Sequence, residues 1–359
     1  MEAEKIWDVI AEIEIDDSWR KYQTPEYNEY RRKFEMAQQQ KHLAAFPLSI
    51  EIESSYSCNL KCYYCPRTVG SGEKKSKHIS QELWQKILSE CKLHSIPSIL
   101  MDHEGEALTN PRFIDMVAEA KRAGILDIWL HTNANLLTPE KSERLIDSGL
   151  TKINFSIDAI TEGTYNTLRV GGNYKKVIQN VKDFLRIKSE KKAFYLRVRI
   201  SFVEQKENIL EKKAFFEFWR NETFVNMITF QECIDCEPFG ERDEDSGLPE
   251  KKLEQKYIHE SPFHCSMPWE MPIIDIDGSI IPCGRPVREH TKDFILGNMF
   301  DGDTIESVWN GGKMNRLRKL HTKGDWYKNT MCRICVKSLR DSRKRLLALR
   351  QEAWKKVPT

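Results

Sequence analysis

The chain has 359 residues, enough for one large domain with a smaller one beside it. Its 56 basic residues nearly cancel its 54 acidic ones, leaving a net charge of +2, so charge directs it neither to nucleic acid nor to a membrane surface. Hydrophobic residues at 40% and charged residues at 31% make a globular composition; no apolar run is long enough to span a bilayer and the first residues lack a secretory signal, so a cytosolic protein is expected.

Residues 1–46 read as a helical extension studded with aromatics (Trp7, Trp19, Tyr22, Tyr27, Tyr30, Phe34), without a strand signal, packed outside the main domain. From residue 48 strands and helices alternate. Strands are predicted at 48–54, 98–102, 127–131, 152–157, 195–203 and 225–231, with helices opening at Ser80, Pro111, Thr138 and Asn173. Thr138-Pro139 is cap and first-turn chemistry. Such alternation predicts an α/β fold, a partial, TIM-like (β/α)6 barrel over residues 47–236, with every strand's C-terminal end on one rim. A charged linker is expected at 237–256. Beyond it, residues 273–276 and 279–282 flank Asp277-Gly278, a strong hairpin signal. A helix at 304–320, Cys332-Arg-Ile-Cys335 and a basic, leucine-bearing helix at about 337–356 follow. These place a small α+β domain at 257–340 and a basic terminal helix at 341–359.

Ten cysteines in such a chain point to metal binding or catalysis rather than disulfides. Cys91 continues the helical stripe Leu83, Trp84, Ile87, Leu88 and reads as core. Cys58, Cys62 and Cys65 follow the first barrel strand. Three thiolates can hold three irons of a four-iron cluster and leave the fourth open to a small chelator, whereas structural zinc wants four ligands and no fourth is near.

Three cysteines at these gaps, with the aromatic Tyr64 before the last and a first strand just upstream, resemble the radical S-adenosylmethionine (radical SAM) superfamily. The resemblance implies that the cofactor's amine and carboxylate chelate the open iron. One electron, from a reductant such as flavodoxin or ferredoxin, then splits the cofactor into methionine and a 5′-deoxyadenosyl radical. The segment from His103 to Ala107 is similar to the family's Gly-Gly-Glu-Pro motif, which holds the methionine amino group; Gly105 and Glu106 match, Glu104 and Ala107 depart. Thr132-Asn133 is similar to the family's Thr-Asn-Gly turn, with Ala134 in place of glycine. Ser156, Asp158 and Arg169 fall where relatives meet the cofactor's ribose and carboxylate, although Ser156 and Asp158 also suit caps and loop hydrogen bonds. Tyr63 and Tyr64 are candidates to flank the adenine or to fill core.

Cys265, Cys283, Cys332 and Cys335 supply four thiolates, which suit either zinc or a closed four-iron cluster. The run from Asp275 to Cys283, then Leu296-Gly-Asn298, Ser307-Val-Trp309 and the final C-x-x-C, resembles the SPASM auxiliary-cluster domain. With no cysteine after Cys335, it resembles the shortened, twitch form with one auxiliary [4Fe–4S] cluster, as in twitch-bearing aminocyclitol dehydrogenases. That likeness implies oxidation of a small polyhydroxylated substrate, a sugar or aminocyclitol, to a carbonyl, the auxiliary cluster taking the second electron. Arg197, Arg199 and Glu232 are candidates for the base. Cys233 and Cys236 are candidate hydrogen-atom donors, which would make the enzyme an epimerase. Peptide modification is a third reading, lowered by an N-terminus unlike a leader-binding domain. His103 and His131, at strand ends, read as polar hydrogen-bonding residues near the pocket. Outside catalysis, a metal-stabilised module could bind RNA through its basic terminal helix, whose leucines instead suggest a docked face.

Overall fold

The structure, a computed structural model, describes residues 10–69, 77–233, 247–257, 263, 265–284 and 294–355. Its strands are β1 (Ile10–Glu14), β2 (Ser49–Ile52), β3 (Ser98–Leu100), β4 (Asp127–Thr132), β5 (Lys152–Ser156), β6 (Arg197–Glu204), β7 (Met227–Glu232), β8 (Ile273–Ile274), β9 (Ser279–Ile281) and β10 (Gly297–Asn298). They form one sheet in the order β1-β7-β6-β5-β4-β3-β2-β8-β9-β10. The six strands β2 to β7 are parallel, as the alternation predicts, with β1 antiparallel on one edge and the β8–β9 hairpin extending the other.

Strand β5 shows why the sheet curls around a cavity. Ile153 and Phe155 pack outward with Val181 and Phe184 of the helix Tyr174–Glu190, the Phe155 and Phe184 rings 5.4 Å apart. The alternate residues Lys152, Asn154 and Ser156 face the interior. The helices start where their caps lie: Ser80, Thr138 and Asn173 each accept from a backbone N–H three residues on.

Three expectations need correction. The N-terminal segment is not all helical, because Ile10-Ala-Glu-Ile-Glu14 pairs antiparallel with β7, from Ile10 opposite Gln231 to Glu14 opposite Met227. Its alternating pattern is short and its partner distant in sequence, so local composition hides it. Nor does the segment pack outside the barrel: Trp19 and the helix Pro25–Gln38 close its floor against the strand starts Asp127, Lys152 and Arg197, the Arg197 guanidinium 4.3 Å from the Trp19 ring. The helix expected at 304–320 is two, Ile305–Trp309 and Gly312–Thr322, broken at Asn310-Gly311.

The closing helix is one continuous element, Thr330–Lys355, so Cys332 and Cys335 lie at its start and no break occurs at residue 340. Leu339 and Leu346 of this helix are buried. Part of the expected linker is the helix Glu250–Tyr257, and residues 237–246 lie outside the described residues. No helix among the described residues is long and apolar enough to cross a membrane.

Glu204, ending β6 with its side chain 1% exposed, ties the closing helix to the rim. It accepts from Lys212 Nζ at 2.6 Å and from Arg350 Nε and Nη2 at 3.0 and 2.9 Å. Glu204→Ala should lower unfolding free energy by about 1–3 kcal/mol in denaturant titration and speed amide exchange along the closing helix.

Candidate active site

A cavity of about 750 Å³ runs from the cysteine loop at the C-terminal rim down the barrel to the N-terminal floor. Cys58, Cys62 and Cys65 line its mouth. Burial pushes the Cys58 thiol up to about 11, and burial likewise raises that of Cys62, with Cys65 adding to the rise against Arg169. Thiols this close together resist ionising unless a metal neutralises them. N–H groups already point at the sulfurs: Leu60 N reaches Cys58 Sγ at 3.4 Å and Arg169 Nη1 reaches Cys62 Sγ at 3.8 Å. Clustered thiols with donors aimed at sulfur suit an iron–sulfur cluster.

Beside this loop, Glu106 Oε1 accepts from Thr132 Oγ1 at 2.8 Å and Leu108 N at 3.2 Å, and Oε2 from Asn133 N at 2.8 Å. Burial outweighs these bonds and pushes the Glu106 carboxyl up to about 7. Gly105 has no alternative: a Cβ there would stand 1.8 Å from the carbonyl oxygen of Ser55. Asn133 Nδ2 donates to Asn59 of the cysteine loop at 2.9 Å. Ala134 has φ 59°, the conformation in which glycine costs least, which explains the family's usual residue.

Ser156 and Arg169 line the cavity, whereas Asp158 does not. The Asp158 carboxylate is already used, pairing with Arg169 Nη2 at 2.5 Å, accepting from the Tyr64 hydroxyl and accepting from Val203 N at 2.8 Å. Asp158 therefore orients Arg169 and Tyr64, which do reach the cavity. Tyr63 points elsewhere, its hydroxyl bonded to Gln205 and Glu207 at 2.5 and 2.7 Å. Cys233 lines the cavity near Glu232; Cys236 lies outside the described residues.

The barrel wall holds acids that spacing did not single out. His103 Nδ1 meets Glu51 Oε1 at 2.6 Å; burial opposes charge on the ring, but Glu51, then Glu53 and Glu104, push its pKa up to about 10. Asp102 accepts from His131 N at 2.6 Å and faces His131 Nδ1 at 3.0 Å. Arg199 joins His131 Nε2 at 3.1 Å to Glu12 of β1, also at 3.1 Å. Asp102, Glu51 and Glu12 carry no motif; strand alternation alone pointed inward.

The second cysteine set gathers under Trp326, Phe263 and Leu317. Burial raises the Cys265 thiol well above its usual range, and Cys283, Cys332 and Cys335 each raise it further, although among the described residues no three such side chains already stand at metal-holding spacing. His321 Nε2 stands 3.3 Å from Cys332 Sγ. Four such thiols fit a metal centre with no open position.

Residues 52–198 match the model of the radical SAM superfamily, and residues 265–336 match that of an iron–sulfur cluster-binding domain, SPASM. The chain thus carries a radical SAM domain followed by a SPASM domain. A probable GTP 3′,8-cyclase of Methanococcus maripaludis is 29% identical over 147 residues, 41% of this chain and 47% of that protein. The chain thus spans about half the length of the curated relatives it matches. The solved structure of BtrN with AdoMet and 2-DOIA aligns at TM-score 0.50 and 17% identity over 79% of this chain and 90% of BtrN. That of anSMEcpe with AdoMet and Kp18Cys peptide aligns at 0.55 and 16% over 85% and 99%. At these identities the two structures share the fold with this radical SAM protein.

The radical SAM domain implies S-adenosylmethionine and a [4Fe–4S] cluster, and the SPASM domain implies auxiliary iron–sulfur chemistry. Cys58, Cys62 and Cys65 could hold the first cluster, Cys265, Cys283, Cys332 and Cys335 the second. If Glu106 meets the cofactor's ammonium, as its motif implies, a carboxyl pushed up to about 7 is a poor partner in acid and a good one once the carboxylate forms. Cofactor affinity measured by calorimetry should therefore rise between about pH 6 and pH 8, and Glu106→Gln should abolish that rise and weaken binding about 10- to 100-fold at pH 8. Cys332→Ala should cut reconstituted iron from about eight to about four per chain in metal analysis.

Proposed function

We propose that this radical SAM protein is an oxidoreductase converting a C–H bond beside a hydroxyl of a small polyhydroxylated substrate, a sugar or aminocyclitol, into a carbonyl. When bound, S-adenosylmethionine and its cluster supply the acceptor for the hydrogen atom, and the auxiliary cluster the acceptor for the remaining electron. What the chain must provide is a closed polar pocket and a destination for the hydroxyl proton.

The observation that carries this reading is the setting of His131. A guanidinium has donors and no acceptor, so the Arg199 contact marks Nε2 as the unprotonated nitrogen and leaves Nδ1–H facing Asp102. An imidazole in that tautomer takes the hydroxyl proton at Nε2 once the substrate displaces the Arg199 N–H, Arg199 keeping Glu12 as its acceptor, and Asp102 stabilises the cation formed. Arg199, a base candidate in the sequence, remains protonated and positions His131 instead. Burial, and Arg197 beside it, lower its pKa against the pull of Glu12. Arg197 fails as a base for the same chemical reason, and Glu232 sits 3.6 Å from Arg350 at the rim.

The floor sealed by the helix Pro25–Gln38 supports a small substrate, as does the likeness to BtrN, solved with 2-DOIA. Peptide modification is supported by anSMEcpe, solved with a peptide, and epimerisation by Cys233 on the cavity wall. A cytosolic setting with flavodoxin or ferredoxin as reductant suits the oxygen-sensitive chemistry.

Anaerobic screening of sugars, aminocyclitols and peptides should give a carbonyl product with equimolar 5′-deoxyadenosine. Deuterium entering an unoxidised product from heavy water would establish epimerisation instead. His131→Asn should slow carbonyl formation about 100- to 10,000-fold, with iron content and cofactor affinity as controls for an intact site; a wild-type rate would exclude His131 as the base.

A further inference from the structure

We infer that the substrate carries a compact oxyanion, a phosphate or a carboxylate, seated at the barrel floor on Lys152 and Arg197, with a neighbouring hydroxyl donating to Asn154. The inference rests on the barrel cavity being the substrate pocket and narrows the substrate class within that reading.

Strand register builds the seat. Trp129, Lys152 and Arg197 are directly paired neighbours on β4, β5 and β6, and one step toward the rim His131, Asn154 and Arg199 form the next row. All six line the cavity. Buried polar atoms normally find partners, yet here several have none among the described residues. Trp129 Nε1, Arg197 Nη2 and Arg199 Nε are buried donors without an acceptor, and Asn154 Oδ1, in a residue 5% exposed, is an acceptor without a donor. Asp127 Oδ2, the acid paired with Arg197, stands 3.9 Å away. The Lys152 ammonium forms no hydrogen bond or ion pair among the described residues and lies 4.0 Å from the centre of the Trp129 ring. A partner to which these side chains turn would accept from N–H groups and the Lys152 amine and donate to Asn154, which describes an oxyanion next to a hydroxyl.

Charge agrees with hydrogen bonding. Lys152, Arg197, Arg199 and the floor residue Arg31 face Asp127, Glu12 and Asp102, of which Asp102 is already engaged by His131 and the Glu12 side chain is 49% exposed. Burial, then Arg199 and Arg197, hold the Lys152 amine well below its usual range, with Asp127 opposing. A bound anion would return its charge. Anchored on the lower row, such a ligand presents its hydroxyl-bearing carbon to the row of Asn154 and His131, below the cysteine loop.

The test is calorimetry on the full, cluster-loaded chain with S-adenosylmethionine and no reductant, using glucose 6-phosphate, glucuronate, methyl glucoside and glucosamine as probes. One of the two anions should bind at least tenfold more tightly than methyl glucoside, and which one identifies phosphate or carboxylate. Lys152→Met and Arg197→Gln should each erase that preference while leaving methyl glucoside binding unchanged, and Lys152→Arg should retain it. Should Lys152→Met fail to fold, Arg197→Gln and competition by inorganic phosphate decide. Equal binding of charged and neutral probes, tighter binding of glucosamine, or anion binding indifferent to both charge removals would overturn the inference. An anion held at the floor but never oxidised would refute the proposed reaction and leave the anchor standing; oxidation of neutral sugars without anion preference would do the reverse.

Discussion

Alternation along six parallel strands sends every second side chain into the barrel, and most of those side chains here are charged or strongly polar. A charge facing a narrow cavity is costly unless it is paired. The chain meets this constraint by pairing across strands: Glu51 with His103, Asp102 with His131, Glu12 with Arg199. Each partner comes from a different element: Glu51 with His103 forms a separate pair, and Asp102, His131, Arg199 and Glu12 form one connected chain. The tautomer of His131 and the direction of Arg199 both follow from it. Where pairing stops, at Lys152, Arg197 and Asn154, the wall is incomplete without something bound.

The mouth obeys a different rule, that of close approach. Gly105 lets one loop touch the backbone of Ser55 and so brings Glu106 against the turn at Thr132 and Asn133. Asp158, buried and saturated, fixes Arg169 over the Tyr64 ring, and the same guanidinium reaches Cys62. The groups nearest the first cysteine cluster are thus set by contacts between loops that follow different strands.

Much of this was legible in the residues. The six barrel strands, their caps, the hairpin at Asp277-Gly278 and both cysteine sets follow from local pattern and spacing, because each depends on neighbours within a few positions. Gly105 and Glu106 were legible through likeness to a family motif. The remainder depends on distant partners. Strand β1 is defined by β7, and Asp158 reads as a cofactor contact until its three partners are known. Lys152 is an ordinary strand residue until register sets it opposite Arg197, and Asp102 an ordinary acid until the loop after β3 brings it to His131. The closing helix was expected only from about residue 337, because the cysteine pair at 332 and 335 reads as a ligand motif and not as a helix start.

The floor has a consequence for how the chain assembles. Ile10 pairs with Gln231, and Gln40 bonds the carbonyl of Cys265 at 3.1 Å, so this segment contacts sites that emerge from the ribosome far later than it does. Closing so large a loop is slow relative to building neighbouring strand–helix units. The segment made well before its partners is therefore late to dock, and until it does the barrel stays open from below.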